Sequence, residues 1–155
     1  MEEIIELYAK LEKNNLEKHA FFKLQNFEEA TMIRETEKRL AEEIAQKIVQ
    51  HKTTGKCLNL YLDKGLSRKD GITIRSYSNF IFFLKNFELP DSISFNDELR
   101  EEEQEGDNST YDCARFLVLH CIENRLPLPR FQVNILPPHK INLLLNNFLN
   151  RNQPS

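Results

Sequence analysis

Cys57-Leu58-Asn59-Leu60-Tyr61-Leu62-Asp63, then Lys64-Gly65-Leu66-Ser67-Arg68-Lys69-Asp70-Gly71, then Ile72-Thr73-Ile74-Arg75 is the stretch on which the fold turns. Leu58, Leu60 and Leu62 alternate with Asn59, Tyr61 and Asp63, the period-two pattern of a strand with one face buried. Ile72 to Arg75 repeats the pattern over a shorter length. The segment between them is polar and basic and is bracketed by Gly65 and Gly71. Two strands so close in sequence, with glycines between them, predict an antiparallel pair. The expectation is an α+β fold: a small antiparallel sheet of two or three strands with helices packed on it.

Upstream of this stretch the first fifty-four residues contain neither Pro nor Gly, and Glu, Lys, Ala and Leu dominate. That composition favours helix. Ile4, Leu7, Tyr8 and Leu11 stand at i, i+3, i+4 and i+7, an apolar stripe that predicts a first helix from Glu2 to about Lys13. Asn14 with Glu17, and Asn26 with Glu29, have the spacing of a capping box. They divide the region into a second helix over 16–25 and a third over about 27–51. The third would carry Ile33, Leu40, Ile44 and Ile48 on its buried face. Thr53-Thr54-Gly55 closes the region.

Downstream, Phe80, Phe83, Leu84 and Phe87 fit a helical spacing, so a short helix over 78–87 is preferred to a continuation of the strand. Pro90 ends it. Residues 91–109 read as a flexible acidic loop, with Glu101-Glu102-Glu103-Gln104-Glu105-Gly106-Asp107 at its centre. A helix resumes at about Tyr111, capped by Thr110, and ends near Asn124. Phe131, Val133 and Ile135 alternate and predict a third strand. Pro137-Pro138 opens a last helix, with Ile141, Leu144, Leu145 and Phe148 on its buried stripe. A polar tail over 151–155 follows.

A chain of 155 residues, 40% hydrophobic and 29% charged, is long enough for one domain with a core of its own, so residues 1–155 are expected to form a single domain. No apolar run approaches the length of a membrane span, and no leader pattern opens the chain. An intracellular protein, cytoplasmic or nuclear and with no membrane partner, is expected. Three cysteines, Cys57, Cys113 and Cys121, have no paired spacing and argue against a disulfide framework. Charge is uneven. Residues 51–87 hold seven bases and two acids, and residues 88–110 hold nine acids and one base, so net +5 is followed by net −8.

Chemistry is thinly represented. Adjacent His120 and Cys121 project about 100° apart on a helix and cannot easily share a metal. No Cys-x-x-Cys or His-x-x-x-His pair is present. Thr54-Gly55-Lys56 lacks the upstream glycine and the following Ser or Thr of a phosphate loop. The expectation is no enzyme, no cofactor and no metal, and no set of motifs identifies a family. Binding remains. The chain is expected to be a noncatalytic interaction subunit or adaptor of a larger complex, its partner another protein in a homo- or hetero-oligomer. The alternative is a winged-helix-like nucleic-acid binder in which Lys64, Arg68, Lys69 and Arg75 line a basic hairpin over 64–75 and meet phosphates.

Overall fold

The computed structural model describes residues 1–23, 27–65, 67–99, 109–135 and 138–152, which divide into two compact units. The first, Met1–Lys56 with Asn86–Glu88, is a pair of helices. Helix α1 spans Glu2–Lys23 and α2 spans Phe27–Thr53, and they pack on each other. Three helices were expected here; two are found, because α1 runs straight through Asn14 and Asn15. An Asn in a helix interior costs at most about 0.7 kcal/mol relative to Ala. That is less than the burial of Ile4, Tyr8 and Leu11 contributes along the same helix. The buried stripe of α2 is Ala30, Glu37, Ile44 and Ile48, and Glu37 is matched by Lys18 at 2.9 Å. Helix α2 ends in a Schellman motif, with Gly55 at φ +80° and bonds from Gly55 N–H to Lys52 O and from Lys56 N–H to His51 O.

The second unit, Cys57–Lys85 with Leu89–Ser155, corrects the expected sheet. Strands β1 (Asn59–Leu62), β2 (Ile72–Ile74), β3 (Ser92–Phe95) and β4 (Arg130–Val133) form one sheet in the order β2-β1-β3-β4. Every pairing among the described strands is parallel, so β1 and β2 form no hairpin and the sheet is neither antiparallel nor limited to three strands. Helices α3 (Tyr77–Asn86), α4 (Thr110–Asn124) and α5 (His139–Asn152) complete the chain. Residues 80–86 are helical, as preferred. Ser76 Oγ accepts from Asn79 N–H at the start of α3, and Ser109, one residue before the expected Thr110, caps α4 in a reciprocal box with Asp112.

Two physical facts explain the parallel arrangement. Strands of four residues are only about 13 Å long, and the nine residues 63–71 can reach about 30 Å, so no helix is needed to return to the start of the sheet. Gly71 then lets the chain come back against β1: a Cβ there would stand 2.5 Å from Asn59 O and 2.6 Å from the Tyr61 ring. The third correction concerns residues 91–109. Ser92-Ile93-Ser94-Phe95 lies inside the segment expected to be a flexible acidic loop, yet it is β3, between β1 and β4. The run of glutamates lies outside the described residues.

The registers sort the sheet into two unlike faces. Leu60, Leu62, Ile72, Ile74, Ile93, Phe95, Phe131 and Val133 share the inner face. Crossovers β2-α3-β3 and β3-α4-β4 travel in the same direction across the sheet, and right-handed connections put α3 and α4 on one side. There they present Phe80, Phe83, Leu84, Cys113, Ala114, Leu117 and Cys121, all buried, and α5 packs beside α4. The connection β1-β2 travels the opposite way, and the same handedness agrees with Arg68 and Asp70 bonding to Thr73, Tyr61 and Asn59 on the outer face.

Candidate functional site at the outer face of the sheet

The outer face is polar in every row. Asn59, Ser92 and Arg130 share the first register, with Gly71 opposite Asn59. Thr73, Tyr61, Ser94 and Gln132 share the second. One residue beyond the strands, Arg75, Asp63, Asn96 and Asn134 form a third row along the carboxyl edge. Parallel sheets normally bury both faces and read as apolar throughout. Among the described residues of this unit, the crossover between β1 and β2 is the segment that bonds to the second face.

The crossover covers only the β1-β2 half. Tyr61 Oη donates to Asp70 Oδ2 at 2.7 Å, Asn59 Nδ2 donates to Asp70 O at 3.1 Å, and Arg68 N–H donates to Thr73 Oγ1 at 3.2 Å. The Arg68 guanidinium stacks over the Tyr61 ring at 4.7 Å. Burial, then the bond and charge of Asp70, push the Tyr61 hydroxyl above its ordinary pKa, and Arg68 works against them. On the β3-β4 half, Ser92, Ser94 and Asn96 are half-buried, and Arg130, Gln132 and Asn134 are exposed.

Side-chain hydrogen bonds tie the rows together. Ser92 Oγ donates to Asn59 Oδ1 at 2.7 Å. In the third row Asn134 Nδ2 donates to Asn96 Oδ1 at 2.7 Å, and Asn96 Nδ2 reaches Asp63 Oδ2 at 3.4 Å. Asp63 sits where the chain reverses direction across the sheet, the place where open α/β sheets most often hold ligands. Its Oδ1 accepts Gly65 N–H at 2.7 Å. That bond, together with the side chains of Asp97 and Asn96 and the charge of Arg68, holds its carboxyl below the usual range against the effect of burial. Asp97 accepts Lys64 N–H at 2.9 Å. Among the described residues no three His, Cys, Asp or Glu side chains converge as metal ligands.

Of the four cations expected to line a basic hairpin, Lys64, Arg68 and Lys69 lie on the crossover between β1 and β2, and Arg75 follows β2. Arg75 turns back and donates to Gly65 O and to Ser67 Oγ, at 3.0 Å and 2.9 Å from Nη2. Arg68 pairs with Asp63 at 3.6 Å while stacked on Tyr61. Lys64 and Lys69 have exposed side chains on the crossover. Sequence reading missed Asn96, Asn134, Ser94 and Gln132. Their signal was the alternation in Ser92-Ile93-Ser94-Phe95 and in Arg130-Phe131-Gln132-Val133, which marks their apolar neighbours as the buried side.

Elsewhere Cys113, Cys121 and His120 are engaged in structure. Burial pushes the Cys121 thiol up to about 11, and burial with the charges of Asp112 and Glu98 raises that of Cys113 further. His120 stacks on Phe116 at 6.1 Å. In the helical unit an open hollow of about 190 Å³ is bordered by Glu3, Lys47, His51 and Lys56, and Lys47 there is bound to Glu3 at 3.1 Å. No helix is long and apolar enough among the described residues to cross a membrane. No family model, no curated protein and no solved structure matches the chain.

Proposed function

We propose that the chain is a noncatalytic protein-interaction subunit, and that its contact surface is the β3-β4 half of the outer sheet face. One observation carries this: among the described residues of the second unit, the face of the parallel sheet opposite the apolar one is an array of amide, hydroxyl and guanidinium groups. Ser92, Asn96 and Asn134 in this array are held by their neighbours, so little side-chain entropy is lost there when a partner binds. Raised thiol pKa values and a His engaged with Phe116 and Asn124 add support, since neither favours nucleophilic or general-base chemistry.

The test compares the wild-type chain with the double variant Ser94→Lys and Gln132→Lys. Both side chains lie on the open half of the face, so folding stability should change by less than about 1 kcal/mol. Proteins that co-purify with the wild type and are identified by mass spectrometry should be lost from the variant and retained by Arg115→Glu, a change on the exposed side of α4. Identical captures from wild type and double variant would defeat the assignment. So would a chain that instead binds mixed-sequence RNA or DNA and releases it as salt rises.

A further inference from the structure

The two edges of the sheet differ. At the β2 edge Ile72, Thr73 and Ile74 are all buried, at 1%, 5% and 0% exposure. At the β4 edge Arg130 and Gln132 are exposed, and Phe131 and Val133 are only half-buried although they belong to the apolar inner face. Their registered neighbours Ile93 and Phe95 are exposed by 1% and 0%. The inner apolar layer is therefore closed on one side of the sheet and unfinished on the other.

The backbone at that edge has a matching character. Arg130 N–H donates to Asp91 O at 3.1 Å and Asn134 N–H donates to Phe95 O at 2.8 Å. In a parallel ladder successive residues bond to opposite sides. The amides and carbonyls of Phe131 and Val133 thus point away from β3, beyond the last strand of the described sheet. The strand itself carries one charged residue, the exposed Arg130. Arg130 stands on the outer face at the very strand that is open.

We infer that the free edge of β4 docks an extended segment of a partner protein in which apolar and acidic residues alternate. This rests on the interaction role proposed above and names the partner's chemistry. The incoming backbone pairs with Phe131 and Val133, its apolar side chains complete the inner layer beside them, and its acidic side chains meet Arg130 on the outer face. Strand addition supplies main-chain hydrogen bonds for affinity and alternate side chains for specificity. The shortness of β4, its Arg and the preceding Pro129 are the features that keep open edges from pairing indiscriminately.

The experiment titrates the full chain, labelled for NMR, with an eight-residue peptide of alternating Val and Glu, and separately with one of alternating Val and Lys. The Val/Glu peptide should shift the Phe131 and Val133 amides and slow their exchange. The Val/Lys peptide should bind roughly fivefold more weakly, as expected for exchanging an opposite for a like charge pair across two strands. Arg130→Glu, an exposed substitution that leaves folding intact, should invert that preference. Absence of binding by either peptide, shifts confined to other elements, or an unchanged preference in Arg130→Glu would overturn the edge assignment. If partner capture is still lost in the Ser94/Gln132 double variant, the face retains its role and only the edge assignment fails. A loss of partner capture in Arg130→Glu as well supports both.

Discussion

Thr110 joins the exit of β3 to the start of α4, and its removal is the sharpest test of the described geometry. The residue is fully buried, at 0% exposure. Its hydroxyl donates to Asp97 O at 2.7 Å and accepts Leu99 N–H at 2.9 Å, while its own N–H donates to Glu98 Oε1 at 2.7 Å. The side chain thus ties Asp97 and Leu99 to the helix terminus, and the backbone N–H of the same residue ties Glu98. Thr110→Val keeps the shape and deletes the hydroxyl. A net hydrogen bond is worth about 1 kcal/mol, and a buried amide left without a partner costs about 1–3 kcal/mol. Leu99 is itself at 0% exposure, so its amide has little recourse to water. The expected loss is about 2–4 kcal/mol, or roughly 5–15 °C in Tm for a chain of this size. Urea unfolding of the full chain should show a lower midpoint at unchanged slope. Thr110→Ser should recover most of the loss, because it retains the oxygen and gives up only a methyl group. A loss below about 0.5 kcal/mol for Thr110→Val, or equal losses for Val and Ser, would refute the hydroxyl's role.

Gly71→Ala should destabilise by about 1–3 kcal/mol, the usual cost of overpacking, because its methyl group would meet a strand carbonyl oxygen at 2.5 Å; urea unfolding measures it, and a neutral result would place the crossover elsewhere. Arg125→Gly should stabilise by about 1 kcal/mol in the same assay. Arg125 holds φ 54° at the end of α4, with Schellman bonds to Cys121 O and Ile122 O, in a conformation that costs a side chain about 1–2 kcal/mol. Gly55 occupies the corresponding place after α2. Thiol labelling at pH 8 should modify Cys57 quickly and leave Cys113 and Cys121 protected, since Cys57 alone of the three is exposed. The buried thiols are protonated up to about pH 11 or beyond, so their labelling should require denaturant; rapid modification of all three in native buffer would contradict the packing of α4.

Much of the secondary structure was legible in the residues themselves. Ile4, Tyr8 and Leu11, then Ile44 and Ile48, mark helical faces because side chains three, four and seven apart share one side of a helix. Leu60 and Leu62 mark a strand for the corresponding reason at period two. Phe80, Phe83 and Leu84 chose helix over strand correctly. Asn14 misled because a local capping pattern was weighed against weak propensities, with no sight of the second helix that α1 packs on. Ser92-Ile93-Ser94-Phe95 went unread because it is short and adjoins a run of glutamates whose charge dominated the segment.

The amino-acid sequence by itself determined the helical character of most of the first fifty-four residues and of 80–86, and the buried side of β1, because these depend on the periodicity of neighbouring side chains. It also determined that residues 51–87 are basic. Only the tertiary structure decided that β1 and β2 run in the same direction, because strand pairing is a contact between segments and alternation looks the same in either direction. It decided that the crossover lies on the outer face, since handedness is a property of three connected elements together. It decided finally that Asn59, Ser94, Gln132, Asn96 and Asn134, scattered over seventy-six positions from 59 to 134, make one surface, because parallel register aligns residues that no local spacing relates.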